Sequence, residues 1–385
     1  MKARTIPVFL AFLAMGFGDA VGPFVGLAKS EFTLSNTVAF LIPFVGFIMF
    51  GVLSIPMGVY QSRKGKKFIL LLGLVVMLLG MLIALSGLTS FWLFMVTVLF
   101  LGAGATILQV AGNPIMRDVS AQGKYSRNLS LAQFIKAIGS LTGPVIPALA
   151  AALLGMSWKI LFPIYAAALF ITILSVAFLK VGETAQNEKS PVTLGSCLAL
   201  LKNSYVFLMV AAIFVYVGAE VCMSSGIPIY LKSEFGVDIE KLGLLGTGLF
   251  FTTLMIGRFV GGVILNWMSP RKFFVTTTAV SVLALLGLFT GNVEIVIASV
   301  IFIGLGFANI FPLIFSITVD AMPEKTDELS GLMVTAIVGG AFVPPIMGFV
   351  ADNSSPKIGF VVPLIALLFI GWLAVRNPKP VAFAR

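Results

Sequence analysis

The stretch Gly102–Lys136, GAGATILQVAGNPIMRDVSAQGKYSRNLSLAQFIK, decides the fold class. It connects two apolar runs, 91–115 and 129–154, and each run is long enough to cross a bilayer, because about 20 helical residues span the ~30 Å hydrocarbon core. The runs contain four polar side chains that lipid cannot satisfy, namely Gln109, Asn113, Gln133 and Lys136. We therefore expect a membrane hairpin whose polar groups face protein or a water-filled cavity.

The composition of the whole chain supports this reading. The 385 residues are 59% hydrophobic and only 10% charged, and the mean hydropathy is +1.09, which excludes a water-exposed globule. The 39 glycines and 19 prolines favour closely packed, locally broken membrane helices over a membrane β-barrel. The chain has two cysteines and no histidine, so no disulfide framework, zinc site or other cofactor is expected.

Apolar runs between charged or turn-forming clusters predict twelve spans. The first six lie near 5–28, 37–60, 68–88, 91–115, 129–154 and 158–179. The other six lie near 205–230, 241–266, 273–290, 293–318, 329–350 and 357–375. The longest polar break predicts a cytoplasmic linker at 180–204, which separates an N-terminal six-helix bundle, 1–179, from a C-terminal bundle, 205–385.

The basic residues predict the orientation. With the N-terminus inside, eighteen of the 25 Lys and Arg residues fall in inside segments and five in outside loops. Basic residues resist translocation, so both termini are expected in the cytoplasm of a bacterium, with the chain in its inner membrane. The net charge of +10 is thus explained by topology, and no nucleic-acid partner is expected.

The two halves repeat each other. Gly102, Gly104 and Asp118 recur 202 residues later as Gly304, Gly306 and Asp320, and Asp19 recurs at an offset of 201 as Glu220. Such a repeat predicts two related bundles with a working site near the membrane midplane.

Several motifs resemble the major facilitator superfamily. The turn Gly58–Lys67 resembles its signature between the second and third spans, although Ser62 stands where the signature has an acid. Seven further stretches resemble the fucose–proton symporter family, namely 32–36, 111–114, 128–133, 216–220, 256–259, 314–316 and 345–352. The resemblance implies import of a monosaccharide by proton symport with alternating access.

The resemblance also assigns roles to charged groups inside the spans. The family's proton-accepting Asp, followed four residues later by Pro, matches Asp19 and Pro23. A carboxylate in a glycine-rich span can load and release a proton, and a static ion pair is the alternative. The family's Glu in the fourth span is Gln109 here, and its Asn in the fifth is Lys136. We expect Lys136 to pair with Asp19, to bind a substrate carboxylate, or to extend its charge to the interface.

Other polar residues complete the predicted site. Gln109 and Asn113 share one helix face, and Gln133 and Lys136 share another, so their side chains suit sugar hydroxyls or interhelical hydrogen bonds. Glu220 is the second predicted proton-coupling acid and a substrate ligand, with Tyr216 and Asn309 as further ligands. Gating or structural roles are predicted for Arg63, Arg258 and Arg271.

Several functions agree with these features. The first is proton-coupled import of a monosaccharide by a monomer in the lipid bilayer; the alternatives are import of a sugar acid or another organic anion, or sodium-coupled sugar symport. A drug exporter is disfavoured by the cluster of amides and charges, and a sensor by the lack of a soluble output domain. No nucleotide-binding loop or catalytic constellation is present, so an enzyme is not expected.

Overall fold

A computed structural model describes residues 6–20, 28, 31–33, 41–87, 90–179, 193–236 and 248–376. In its first half the α-helices are α1 (Ile6–Gly16), α2 (Leu41–Lys64), α3 (Lys66–Leu85), α4 (Phe91–Val119), α5 (Tyr125–Leu154), α6 (Leu161–Ala177) and α7 (Leu194–Ala199). They are followed by α8 (Ser204–Phe235), α9 (Leu249–Ile264), α10 (Pro270–Gly287), α11 (Val293–Phe307), α12 (Ile310–Ala321), α13 (Thr326–Thr335), α14 (Gly339–Asn353), α15 (Pro356–Gly359) and α16 (Val361–Arg376). These described residues contain no β-strand.

The predicted all-α membrane class is confirmed. Nine helical segments in the described part of the chain are long and apolar enough to cross a membrane, and two shorter apolar helices, Ile6–Asp19 and Leu249–Ile264, accompany them. Each of the twelve predicted spans overlaps at least one helix. Of the predicted linker, 180–192 lies outside the described residues, and the rest contains α7.

Capping residues set where several helices begin. Ser90 accepts a hydrogen bond from the Leu93 amide at the start of α4, and Asn292 accepts two from the first turn of α11. Between α2 and α3, Gly65 has φ +85°, a conformation that side chains disfavour, so the turn needs a glycine there.

Three predicted spans are interrupted and a fourth is shifted. The first changes from α1 to a 3₁₀ turn at Phe17–Ala20, the tenth breaks between α11 and α12, and the eleventh contains the 3₁₀ turn Ala336–Val338. The fifth helix begins at Tyr125, four residues before the predicted run, because hydropathy marks the apolar segment and not its polar first turn.

The packed chain divides into two compact units. The first unit comprises Met1–Ala121, Ile135–Cys197 and Lys325–Thr335, and the second comprises Gln122–Phe134, Leu198–Glu324 and Ala336–Arg385. The predicted six-helix bundles, 1–179 and 205–385, stay a prediction.

Glycines allow close helix packing inside the first unit. A Cβ at Gly104 would overlap Met77 and the backbone of Gly73, so α3 and α4 approach each other closely. At another crossing Gly58 of α2 lies against Gly331 of α13. Beside this crossing the Gln61 amide donates a hydrogen bond of 2.7 Å to Asp327, and both side chains are buried.

The second unit uses the same device. Gly218 of α8 lies against Val343 of α14, and Gly306 of α11 lies against Ser281 of α10. A Cβ at Gly339 would overlap the Phe214 backbone, so α14 begins in direct contact with α8. These contacts hold in place the helices that carry the polar residues of this unit.

Candidate functional site

The site in the first unit depends on a glycine contact between α1 and α5. A Cβ at Gly16 would overlap the backbone of Lys136 and Ser140, and a Cβ at Gly139 would overlap the Leu13 carbonyl oxygen. The two backbones therefore touch one turn before Asp19, which lies in the 3₁₀ turn that follows α1. This contact brings the acid of the first span to the cation of the fifth.

Asp19 has two partners on α5. Lys136 Nζ lies 3.2 Å from Asp19 Oδ2, and the Ser140 hydroxyl donates a hydrogen bond of 2.8 Å to the same oxygen. The Asp19 side chain is 40% exposed and that of Lys136 is 14% exposed, so the acid is the more accessible of the two while the amine is mostly enclosed. The predicted pairing of Lys136 with Asp19 is present.

Two predicted amides lie on α4, which packs against the same first helix. Gly18, next to Asp19, lies against Ala105. A Cβ at Gly112 would lie 3.0 Å from Met15 Cε. Gln109, between these two contact positions, is 2% exposed, and its Oε1 is buried without a hydrogen-bond partner among the described residues. A buried acceptor of this kind suits an incoming hydroxyl group.

Asn113 follows one turn later on α4 and is fully buried. The two amides therefore share one stripe of the helix, as their spacing of four residues predicts.

Three polar residues of this region, Tyr165, Thr142 and Ser140, were not predicted from the sequence. Phe17 stacks on Tyr165 with ring centroids 3.9 Å apart, and the Tyr165 hydroxyl is 2.8 Å from the Thr142 hydroxyl. Ser140 is the third, and its position four residues after Lys136 was a usable signal, because it puts both side chains on one helix face.

The second unit contains another buried ion pair. Arg258 Nη2 of α9 lies 3.4 Å from Glu220 Oε1 of α8, with side-chain exposures of 10% and 18%. The same guanidinium donates to the carbonyl oxygens of Ala308, at 3.4 Å, and Gln133, at 3.5 Å. The predicted substrate ligand Gln133 thus contributes its backbone here, and its side chain is 1% exposed.

The break between α11 and α12 supplies acceptors to this pair. Pro312 has no N–H group, so the Ala308 carbonyl cannot form its usual helical bond and accepts from Arg258 instead. The Phe307 carbonyl accepts a hydrogen bond of 3.0 Å from the Tyr216 hydroxyl. Tyr216, predicted as a substrate ligand, is fully buried beside Glu220 and Arg258.

Asn309 lies in the same break. Its amide donates a hydrogen bond of 2.7 Å to the Gly257 carbonyl of α9, and its side chain fills the notch over Gly261. The side chain is 1% exposed, so the structure places this predicted ligand against a neighbouring helix.

The two remaining predicted arginines lie at helix ends. Arg63, in the last turn of α2, is exposed and lines a shallow groove with Tyr60 and Leu194. Arg271 is the second residue of α10 and is half-buried near Tyr205. Among the residues that the structure describes, no group of three or more Cys, Asp or Glu side chains is arranged to hold a metal ion.

Long apolar helices with charged pairs in their interior define a multi-pass membrane protein. The sequence model of the Major Facilitator Superfamily matches residues 8–337 and 208–384, so the chain belongs to that superfamily. The chain is 28% identical over 365 residues to the glucose/galactose transporter of Brucella abortus biovar 1 (strain 9-941), and this alignment covers 91% of this chain and 88% of that protein.

Two further comparisons agree. The L-fucose-proton symporter of Escherichia coli (strain K12) is 25% identical over 359 residues, covering 84% of this chain and 81% of that protein. A crystal structure of the E. coli fucose:proton symporter matches the fold with a TM-score of 0.85 at 20% identity, over 98% of this chain and 100% of that chain. The predicted resemblance to the fucose–proton symporter family is thereby confirmed.

Proposed function

We propose that this protein imports a monosaccharide by proton symport with alternating access. The observation that carries the proposal is the half-exposed Asp19 carboxylate, paired with Lys136 and Ser140 at the contact between α1 and α5. The names of the sugar-transporting relatives support the substrate class. A bacterial inner membrane and cytoplasmic termini are further parts of the proposal, and they rest on the distribution of basic residues and on the bacterial relatives. A monomeric protein completes the proposal.

Asp19 has the properties that a proton carrier needs. Both of its contacts use Oδ2, and Oδ1 accepts no hydrogen bond from the described residues. A proton that arrives from solvent can bind there, neutralise the carboxylate and weaken its attraction to Lys136. The proton thereby changes the charge of the site, which is the requirement for coupling an ion gradient to a conformational equilibrium.

The neighbouring amides supply the sugar-binding part of the proposal. Gln109 lies one helical turn after Ala105, which contacts Gly18, and its buried acceptor oxygen has no hydrogen-bond partner among the described residues. A sugar hydroxyl that donates to this oxygen removes the cost of leaving it unpaired. A sugar acid is less favoured, because the Lys136 ammonium that would bind its carboxylate is already paired with Asp19.

Transport by the purified protein tests this function. We expect proteoliposomes to accumulate labelled D-glucose, D-galactose or L-fucose when the outside is made acidic, and a protonophore to abolish the accumulation. Labelled D-glucuronate serves as the sugar-acid comparison. Uptake that persists unchanged with the protonophore, or uptake of the acid alone, would contradict the proposal.

A further inference from the structure

The 3₁₀ turn after α1 directs three consecutive residues toward three different helices. A 3₁₀ turn has three residues per turn, so neighbouring side chains leave it about 120° apart. Phe17 stacks on α6, Gly18 lies against α4, and the Asp19 carboxylate meets α5. The direction of the acid therefore depends on how the other two residues are held.

We propose that Phe17 and Tyr165 are positioning residues for Asp19. Their stack holds the rotation of the turn, and with it the contact of the carboxylate with α5. The proposal rests on the proposed function, because it says how the acid that we assign to proton coupling is kept in place.

The stack is the enclosed side of the turn. The ring centroids of Phe17 and Tyr165 lie 3.9 Å apart with planes 10° apart, and both side chains are buried. Asp19, two residues later, is the exposed member of the turn. Buried rings in contact contribute more than the area they cover, and a packed interior lets them move little. Phe17 is thus the anchored residue, and Asp19 is the residue that the anchor orients.

Hydrogen bonds attach the Tyr165 ring to α5. The Thr142 hydroxyl donates to the Gly139 carbonyl oxygen, so it accepts from the Tyr165 hydroxyl, 2.8 Å away. Gly139 itself touches α1, because a Cβ there would overlap the Leu13 carbonyl oxygen. The contacts form a closed ring, from α1 to α6 through the stack, from α6 to α5 through the hydroxyl groups, and from α5 to α1 through the glycine. A rotation of the turn would strain all three contacts.

The same segment of α5 carries the partners of the acid. Ser140 follows Gly139 directly and donates a hydrogen bond of 2.8 Å to Asp19 Oδ2, and Lys136 Nζ lies 3.2 Å from the same oxygen. The anchor of the aromatic stack and the partners of the carboxylate are therefore less than two helical turns apart on one helix. Ordinary core packing is the alternative reading, and it predicts that loss of the stack lowers stability without moving Asp19.

Cross-linking measures the position of the turn without sugar or a proton gradient. Asp19→Cys and Ser140→Cys are combined in a chain whose own cysteines are removed by Cys197→Ala and Cys222→Ala. The two replaced side chains are 2.8 Å apart, so a short bis-methanethiosulfonate reagent should bridge the introduced thiols rapidly. The rate of this reaction in the purified protein reports how often the turn faces α5.

The stack is then altered in this cysteine pair. Phe17→Leu and Tyr165→Leu keep an apolar side chain but remove the stack, and each should slow the cross-link by about three- to tenfold, the range that the interaction of an aromatic pair allows. Tyr165→Phe keeps both rings and should retain most of the rate. Phe17→Met, which keeps nearly all of the apolar volume, replaces the leucine variant if that protein does not fold, and the same slowing is expected.

A second buried aromatic pair provides the control. Phe360 packs against Tyr230 with ring centroids 5.5 Å apart, and both side chains are buried. Phe360→Leu should lower the melting temperature and leave the cross-linking rate unchanged. Folded Phe17 and Tyr165 variants that cross-link at the parent rate would overturn the proposal, and so would equal slowing by Phe360→Leu.

Transport adds a readout that packing alone would not change. With Asp19 and Ser140 restored, Phe17→Leu should reduce gradient-driven accumulation of labelled galactose more than exchange of labelled galactose, because a misplaced acid weakens coupling before it weakens sugar binding. Equal loss of both in Phe17→Leu would contradict the positioning role. If the wild type itself accumulates no sugar, the proposed function fails, while the cross-linking rates still decide whether the stack positions the turn.

Discussion

Substituting Gly16 by Ala should damage the site without touching any polar side chain. An added Cβ would lie 2.7 Å from the Ser140 amide nitrogen and 2.9 Å from Gly139 Cα, whereas non-bonded atoms prefer about 3.5–4.0 Å. These partners are backbone atoms that cannot rotate away, so α1 and α5 must separate by roughly 1 Å. We expect overpacking to cost about 1–3 kcal/mol, partly offset by the better helix propensity of alanine.

The same separation should loosen the ion pair. The distance between Lys136 Nζ and Asp19 Oδ2 would grow from 3.2 Å toward about 4 Å, beyond which the two groups no longer form an ion pair. Because Asp19 is 40% exposed, the lost attraction is screened and contributes about 1 kcal/mol or less. Sugar accumulation should therefore fall more than thermal stability, since coupling depends on that geometry.

The assays are thermal unfolding in detergent and gradient-driven sugar uptake in proteoliposomes. Gly348→Ala is the matched control, because a Cβ at this helical glycine meets nothing within 4 Å. It should leave uptake unchanged and stability equal or slightly higher. A Gly16→Ala protein with the wild-type melting temperature and wild-type accumulation would refute the claim that the glycine contact positions Asp19.

Three other predictions follow from groups outside this contact. Burial, followed by the Glu328 charge, raises the pKa of the Cys197 thiol to about 11. In a Cys222→Ser background, maleimide at pH 8 should therefore label the folded protein at least about 100-fold more slowly than free cysteine, and fast labelling would contradict this. Hydrogen bonds from Lys159 and Trp158 lower the pKa of Glu31, so the stability that they add is present above about pH 4.5 and is lost as the pH falls through the lower pKa of the folded state. Lys159→Met should flatten that acidic part of a plot of melting temperature against pH, and an unchanged plot would refute the assignment. Arg258→Met should cost about 3–5 kcal/mol, the usual effect of removing one partner of an enclosed ion pair, because it takes away the cation beside the Glu220 carboxylate. Glu220→Gln in the same chain should recover most of that loss, and additive losses in a denaturation cycle would show that the two groups do not interact.

The span positions could be predicted from the sequence, because a helix needs about 20 apolar residues to cross the bilayer and the hydropathy pattern shows where such runs lie. The pairing of Asp19 with Lys136 was also predictable, since a charge inside a span needs a counter-charge and few were available. The glycines that bring α1 and α5 together were visible, but which helices they join depends on packing that no local pattern encodes.

The second pair, Glu220 with Arg258, was not predicted, although the same charge balance applies to it. Its geometry depends on the break near Asn309, where Pro312 frees a carbonyl that only a neighbouring helix can use. The hydrogen bond between Gln61 and Asp327 joins residues 266 positions apart. The sequence alone therefore could not show that the amide next to Ser62, the position where the superfamily signature has an acid, would bind Asp327.

The central claim is that Asp19 carries the coupling proton. The most direct measurement follows external pH in a lightly buffered suspension of proteoliposomes when D-galactose is added, together with exchange of labelled galactose. Wild type should take up protons with the sugar, and Asp19→Asn should exchange labelled sugar but produce no pH change and no accumulation, because an amide cannot cycle a proton. Sugar-dependent proton uptake in Asp19→Asn equal to that of the wild type would contradict the claim.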